Sequence, residues 1–223
     1  MVRRGLHRPG MRLNSKMMKR TILTLCCLLA SLFVTQAQNT DEASIRRRLN
    51  EATARINALS CDFVQTKQLS MLKDKMVSKG RMCYKKSDRL RWEYTSPYTY
   101  VFILNGNEVL LKNKNRSDII DVEQNRMFRE IVQIMLSSVV GNCLDDKNFK
   151  SSLKFTATEY VATLTPQRKN MKQMFRLITL HFDRKTSCVT RVELTEKNDD
   201  RTVIELNNIR LNEKLDDNLF LVR

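Results

Sequence analysis

The chain has 223 residues, 42% of them hydrophobic and 29% charged, with five Gly, three Pro and a formal net charge of +16. That length suits one domain, and so little Gly and Pro excludes collagen-like, elastomeric and linker-rich architectures. An apolar fraction near the globular norm also argues against a disordered chain, because a core can form despite the charge.

The charge is unevenly placed. Residues 1–37 carry seven basic side chains (Arg3, Arg4, Arg8, Arg12, Lys16, Lys19, Arg20) and no acidic one, followed by the apolar run from Ile22 to Val34 and then Thr35-Gln36-Ala37. This order is that of a secretory signal cut after Ala37. The apolar run is shorter than the roughly 20 residues a membrane span needs. The basic stretch before Met17 leaves the translation start open between Met1, Met17 and Met18. Cys26 and Cys27 lie inside the apolar run, a poor match to a lipidation box, so an unlipidated periplasmic protein is expected.

Without the signal the chain keeps 33 basic and 24 acidic side chains, a charge of +9. An exported protein meets no nucleic acid, so that partner is set aside, and the remaining charge reads as an attraction to anionic membranes or acidic partner faces. Cys61, Cys83, Cys143 and Cys188 survive processing without C-x-x-C spacing, which indicates neither zinc nor a redox motif. They form either up to two disulfides, with Cys61–Cys83 favoured because they flank one hairpin, or four small buried hydrophobes.

The mature chain opens with Thr40-Asp41-Glu42 as a cap and with Ile45, Leu49, Ala52, Ile56 and Leu59 at helical spacing. Arg46, Arg47, Arg48, Glu51 and Arg55 form its solvated face. From Cys61 the period becomes two: Cys61, Phe63 and Gln65 alternate with Asp62, Val64 and Thr66, a second strand runs from Met76 to Tyr84, and Leu90, Trp92 and Tyr94 share one face opposite Arg89, Arg91 and Glu93. Strands over 99–104 and 108–112 flank the hairpin signal Asn105-Gly106. Between about Val122 and Leu144 lies a helix, apolar around much of its circumference and ended by Gly141-Asn142. Strands return over 154–158, 160–165, 175–182, 187–193 and 202–210. Roughly ten antiparallel strands in meander order, with two helices, predict a mainly β fold in which one sheet curls into a barrel or half-barrel.

Catalytic chemistry has little to stand on. The only histidine of the mature chain, His181, sits in a strand-like run, and no G-x-S-x-G, H-E-x-x-H or phosphate-binding glycine motif is present. No metal or other cofactor is expected. Trp92, Tyr94, Tyr98, Tyr100 and Phe102 lie near Lys85, Lys86, Arg89 and Arg91, but alternation puts most aromatics and charges on opposite faces, which a nucleic-acid stacking platform does not allow. A curled sheet with a greasy face and a Met-containing helix inserted mid-sheet describes either a container with a lid or a sheet plugged by its own core.

Several stretches carry a resemblance: Asp62-Phe63-Val64-Gln65-Thr66; Lys79-Gly80-Arg81-Met82-Cys83-Tyr84-Lys85-Lys86; Leu90-Arg91-Trp92-Glu93-Tyr94-Thr95-Ser96-Pro97; Leu104-Asn105-Gly106-Asn107-Glu108-Val109; and, later, Ala162-Thr163-Leu164-Thr165-Pro166, Ile178-Thr179-Leu180-His181-Phe182-Asp183 and 202–208 through 215–220. In order and spacing the chain resembles the periplasmic lipoprotein carriers of the LolA type over nearly all of residues 38–223. The resemblance implies an unclosed β-barrel with helical cover, whose apolar interior receives acyl chains. It also implies cargo lipoproteins taken from an inner-membrane lipoprotein-releasing ABC transporter, an outer-membrane acceptor the sequence does not name, and a monomer. The expected cavity residues are Phe63, Met82, Leu90, Trp92, Ile103, Met127, Ile131, Met135 and Ile178. An arginine-proline pair near the family's barrel mouth is tied to lid closure; Lys86 and Ser87 stand there, with Arg89 and Arg91 as substitutes. The alternatives are an envelope-stress sensor on the same half-barrel and, further off, a lipid hydrolase using His181.

Overall fold

The computed structural model describes residues 41–223, apart from Lys73, Asn142 and the side chains at 126–128, 130, 131, 138 and 139. The expected signal segment, Asn142 of the helix-ending pair, and the side chains of Met127 and Ile131 therefore lie outside the described residues. Helix α1 covers residues 41–54. It closes through Arg55 and Ile56, whose N–H groups donate to the carbonyls of Ala52 and Thr53, so Leu59 of the expected helical series already belongs to the first strand. Arg46 is not the solvated charge expected, since its guanidinium donates to the Leu144 carbonyl at 2.7 Å and to Ser151 Oγ at 2.8 Å.

Eleven strands follow. They are β1 (Ala58–Gln68), β2 (Lys75–Lys85), β3 (Arg89–Ser96), β4 (Tyr100–Asn105), β5 (Glu108–Asn113), β6 (Ser117–Asp121), β7 (Phe149–Phe155), β8 (Glu159–Pro166), β9 (Phe175–Asp183), β10 (Val189–Glu196) and β11 (Arg201–Leu211). All pair antiparallel in one sheet of order β6-β5-β4-β3-β2-β1-β11-β10-β9-β8-β7. Two meanders are thus joined where the first strand meets the last, and β6 and β7 remain as free edges. The sheet is open, as expected, with one strand more than the sequence suggested.

The topology dictates where the middle helix must go. Helix α2 (Arg126–Val140) connects β6 to β7, the two opposite edges of the sheet. A connection that long has to cross one face of the sheet, and α2 crosses the face that gathers the apolar side chains: Val132, Ile134 and Val140 join Leu90, Trp92, Leu164, Ile178 and Leu206 in one buried cluster. That is why α2 is apolar on more than one side. It stops at Gly141, whose φ of +80° suits a residue without Cβ, and an added Cβ would lie 2.6 Å from the Phe182 ring.

Alternation holds where it was read most cleanly. Leu90 and Trp92 are buried on the inner face, while Arg91 and Glu93 face outward and pair at 2.9 Å. The β4–β5 hairpin forms at the Asn-Gly signal, with Gly106 at φ +60° as its first central residue. A short helix α3 (Lys169–Met174) fills the gap between the expected strands 160–165 and 175–182.

All four cysteines of the described chain are free thiols. Cys61 lies opposite Met82 and Cys83 opposite Ser60. Residues paired across antiparallel strands share a face, so Cys61 points into the inner cluster and Cys83 into a second cluster on the outer face. The favoured Cys61–Cys83 disulfide is thereby ruled out by register. Burial pushes the Cys61 and Cys143 thiols up to about 12.

Candidate functional site

Between α2 and the inner face of β1, β3, β10 and β11 lies a cavity of about 190 Å³, lined by Gln65, Trp92, Tyr94, Ile134, Met135, Val192, Leu194, Thr202, Ile204 and Leu206. Its walls come from ladder pairs: Val192 lies opposite Ile204, and Leu194 opposite Thr202. The indole of Trp92 packs on Phe63 with ring centroids 4.4 Å apart and the planes tilted by 33°, and Phe63 meets Tyr94 edge-on at 5.2 Å. Two rigid aromatic walls therefore face the flexible Met135 of α2, which gives a lining able to follow an irregular chain.

The cavity adjoins a second, more open hollow of about 330 Å³ bounded by Gln65, Ser78, Tyr94, Ser96, Pro97, Tyr98 and Tyr100. Gln65 and Tyr94 belong to both spaces, and the Tyr94 hydroxyl donates to Gln65 Oε1 at 3.0 Å. This polar pair partitions an apolar interior from a mouth. Parting two neutral groups that water can then satisfy costs about 1 kcal/mol, well within what an entering hydrocarbon returns.

Of the expected cavity residues, Trp92 and Met135 line the space. Phe63, Met82, Leu90 and Ile178 are almost wholly buried and form the packed floor around it. Ile103 is misplaced by the sequence reading. It lies opposite Arg91 in the β3–β4 ladder, on the outer face, and packs with Leu110, Phe220 and Val222. The walls contributed by β10 and β11 were missed, although Val192/Leu194 and Thr202/Ile204/Leu206 carry the period-two signal that would have found them.

The expected lid latch also divides. Arg89 and Arg91 serve the outer face: Arg89 Nη1 meets Asp217 Oδ1 at 2.7 Å beside the Lys85 ammonium, and Arg91 donates to the Leu219 carbonyl. They clamp the C-terminal 3-10 turn (Asp217–Phe220) over the outer cluster, on the side of the sheet away from α2. Lys86 instead borders a cleft with Val140, the last residue of α2. Ser87 has φ +73°, a conformation proline's ring forbids, so the family's arginine-proline pair has no counterpart in this turn.

The hydrogen bond from Lys85, together with the Lys85 and Arg89 charges, holds the Asp217 carboxyl below its usual range. A depressed carboxyl stabilises the clamp above the unfolded pKa, about 3.9, and the contribution is lost as pH falls through the lower folded value. The Phe220 ring resonances should therefore move toward free-chain positions only in strong acid, whereas Asp217→Asn should shift them at neutral pH. Unchanged resonances in the variant would remove the clamp.

His181 is buried on the outer face, with Nδ1 3.1 Å from Glu159 Oε2 and Nε2 3.3 Å from Glu193 Oε1. Its neighbours Leu180 and Phe182 point the other way, into the inner cluster. The ring is thus partnered by carboxylates and separated from the cavity by the sheet.

A family model described as "Outer membrane lipoprotein carrier protein LolA" matches residues 54–223. Among solved structures, an uncharacterized conserved protein from Thermus thermophilus is similar at TM-score 0.50 and 8% identity, over 79% of this chain and 91% of that one. A LolA superfamily protein from Nitrosomonas europaea is similar at TM-score 0.43 and 11% identity, over 81% and 97%. The MucA/MucB complex of Pseudomonas aeruginosa is similar at TM-score 0.49 and 12% identity, over 81% and 60%. At 8% identity the likeness to the Thermus thermophilus protein is one of fold alone. No curated protein sequence matches the chain.

Proposed function

The chain belongs to the LolA family of outer membrane lipoprotein carrier proteins, and on that premise we propose that it is a periplasmic carrier that hides the acyl chains of lipoproteins between α2 and the inner face of the sheet. The observation that carries this reading is the apolar cavity beneath α2, which the Tyr94–Gln65 pair separates from an outer mouth. Each methylene taken out of water contributes about 0.8 kcal/mol, so a triacylated protein crosses an aqueous gap only inside a shell of this kind. The chemistry is binding and release. The proposed donor is an inner-membrane lipoprotein-releasing transporter, and the exported form is the chain after cleavage at Ala37.

Release needs a cover that opens cheaply. Helix α2 touches the sheet through adaptable side chains such as Met135 and Leu136 and is tied to its preceding turn by Arg129, which donates to the Glu123 carbonyl at 2.6 Å. Depleting the protein from its host should leave lipoproteins in the inner-membrane fraction. An unaltered distribution between the two membranes, with only stress-gene output changed, would favour a sensor instead.

A further inference from the structure

The β1–β2 hairpin ends in large apolar side chains that the fold leaves in water: Met71 is 94% exposed and Leu72 55%, with Met76 and Val77 about half exposed. Exposed apolar groups are ordinary when scattered, but these four share one projecting tip. The tip projects because β2 pairs with β1 as far as Lys75, while β3 reaches only to Lys79. Its base is fixed, since the Ser70 N–H donates to the Asp200 carboxylate at 2.7 Å. Met76 lies on the same strand face as Ser78, which borders the mouth hollow, and Tyr98 at that hollow is 79% exposed. The apolar interior, the mouth and the tip thus follow one another along one end of the sheet.

The same end is basic. Lys75 and Lys79 flank the tip, Lys197 sits in the β10–β11 turn beside Asp200, and Lys169 and Lys172 lie on α3, joined to that turn by the hydrogen bond from Lys197 N–H to the Met174 carbonyl. All five are exposed, and none forms an ion pair among the described residues. Of the nearby acids, Glu196 is taken by Lys67, Asp199 by Arg176, and Asp200 is buried on Ser70, which leaves Asp74.

We propose that this end docks on bilayers containing anionic phospholipid, with Met71 and Leu72 entering the headgroup boundary and the lysine collar resting on the phosphates. The inference rests on the carrier reading in one respect: the docked mouth would exchange an acyl chain with the bilayer without exposing it to water. An apolar tip ringed by cations fits a membrane surface better than a protein groove, because both elements gain from the same partner.

The test is co-sedimentation of the exported chain with vesicles of phosphatidylglycerol and phosphatidylethanolamine, and with phosphatidylcholine alone. Binding is expected to the anionic vesicles and to weaken as salt is raised. Met71→Ser with Leu72→Ser should reduce it by about tenfold or more. Lys169→Gln, Lys172→Gln and Lys197→Gln together should also cost about tenfold or more. All these substitutions are at exposed positions, and uptake of a fluorescent acyl probe, measured on each variant, should stay unchanged. Equal binding of the tip variant, or equal binding to phosphatidylcholine, overturns the proposal. So does a wild-type protein that ignores protein-free vesicles while the tip variant fails only with transporter-containing membranes, which would assign the surface to a protein. Absent probe uptake in wild type would instead strike the carrier reading and leave the vesicle result standing.

Discussion

Replacing Ile204 by tryptophan is expected to lower the affinity for a long-chain acyl probe by at least about tenfold. Ile204 stands opposite Val192 on the cavity wall, and its side chain is only partly enclosed, so an indole has space to enter without breaking the ladder. At about 0.8 kcal/mol per methylene, excluding two methylenes from a cavity of about 190 Å³ already costs more than tenfold in affinity. The melting temperature should fall little, because the indole fills empty volume. Ile103→Val is the matching control: it removes one methyl from the outer cluster with Phe220 and Val222, so it should lower stability by about 1 kcal/mol and leave probe affinity intact. Probe binding that survives Ile204→Trp unchanged, or that falls with Ile103→Val, would put the acyl site elsewhere.

A single methyl at Gly80 should do more damage than either. Gly80 lies opposite Phe63 on β1 and Tyr94 on β3, beneath the aromatic wall. A Cβ built there falls far inside van der Waals contact with the Glu93 carbonyl oxygen and 2.5 Å from Phe63 Cζ. The first of these neighbours is ladder backbone, which cannot step aside without breaking β2–β3 pairing, and the second is held between Trp92 and Tyr94. Gly80→Ala is therefore expected to cost about 3 kcal/mol or more, a drop on the order of 10 °C in melting temperature for a domain this size. Thermal unfolding of the purified variant checks it, and a shift of a degree or two would mean the sheet relaxes in a way its register does not allow.

Cysteine labelling tests the sheet's facing independently. Under denaturing conditions Cys61, Cys83, Cys143 and Cys188 should all be alkylated. In the folded protein Cys83 should react first: burial raises its thiol too, but it is the only one of the four not fully buried and nearby arginines oppose the shift, whereas Cys61 and Cys143 are pushed up to about 12 and stay protonated. A recovered Cys61–Cys83 linked peptide would contradict the register of β1 against β2.

Much of this architecture was legible because one face of the sheet meets water. Arg89-Leu90-Arg91-Trp92-Glu93-Tyr94 alternates strictly, and its inward and outward residues stand where that pattern puts them. The wide apolar surface of α2 likewise announced a helix that must be covered on more than one side. Legibility failed where the outer face is covered too. Phe102-Ile103-Leu104 is apolar throughout, because Ile103 has the C-terminal turn to pack against, and an uninterrupted apolar run carries no facing information. Flanking one hairpin made Cys83 look like a partner for Cys61, and only the register, with Cys61 opposite Met82, shows that they face opposite ways.

Short and marginal elements were lost for other reasons. Strand β6, Ser117-Asp118-Ile119-Ile120-Asp121, is an edge strand with Ile119 more than half exposed, and two adjacent isoleucines between polar residues show no alternation. Helix α3 spans six residues, too few to show a helical period, and only Met171 on it is buried. The Tyr94–Gln65 pair was invisible for a different reason. Nothing in the spacing of residues 29 apart shows that β1 and β3, the two strands flanking β2, bring an amide and a phenol together at the rim of a cavity.

The most direct measurement is native mass spectrometry of the exported chain mixed with a triacylated lipopeptide, beside the same peptide without its acyl chains. The carrier account predicts a one-to-one complex with the acylated peptide alone, weakened by Ile204→Trp. Protein that stays empty with the acylated peptide, or that binds both peptides equally, would contradict it.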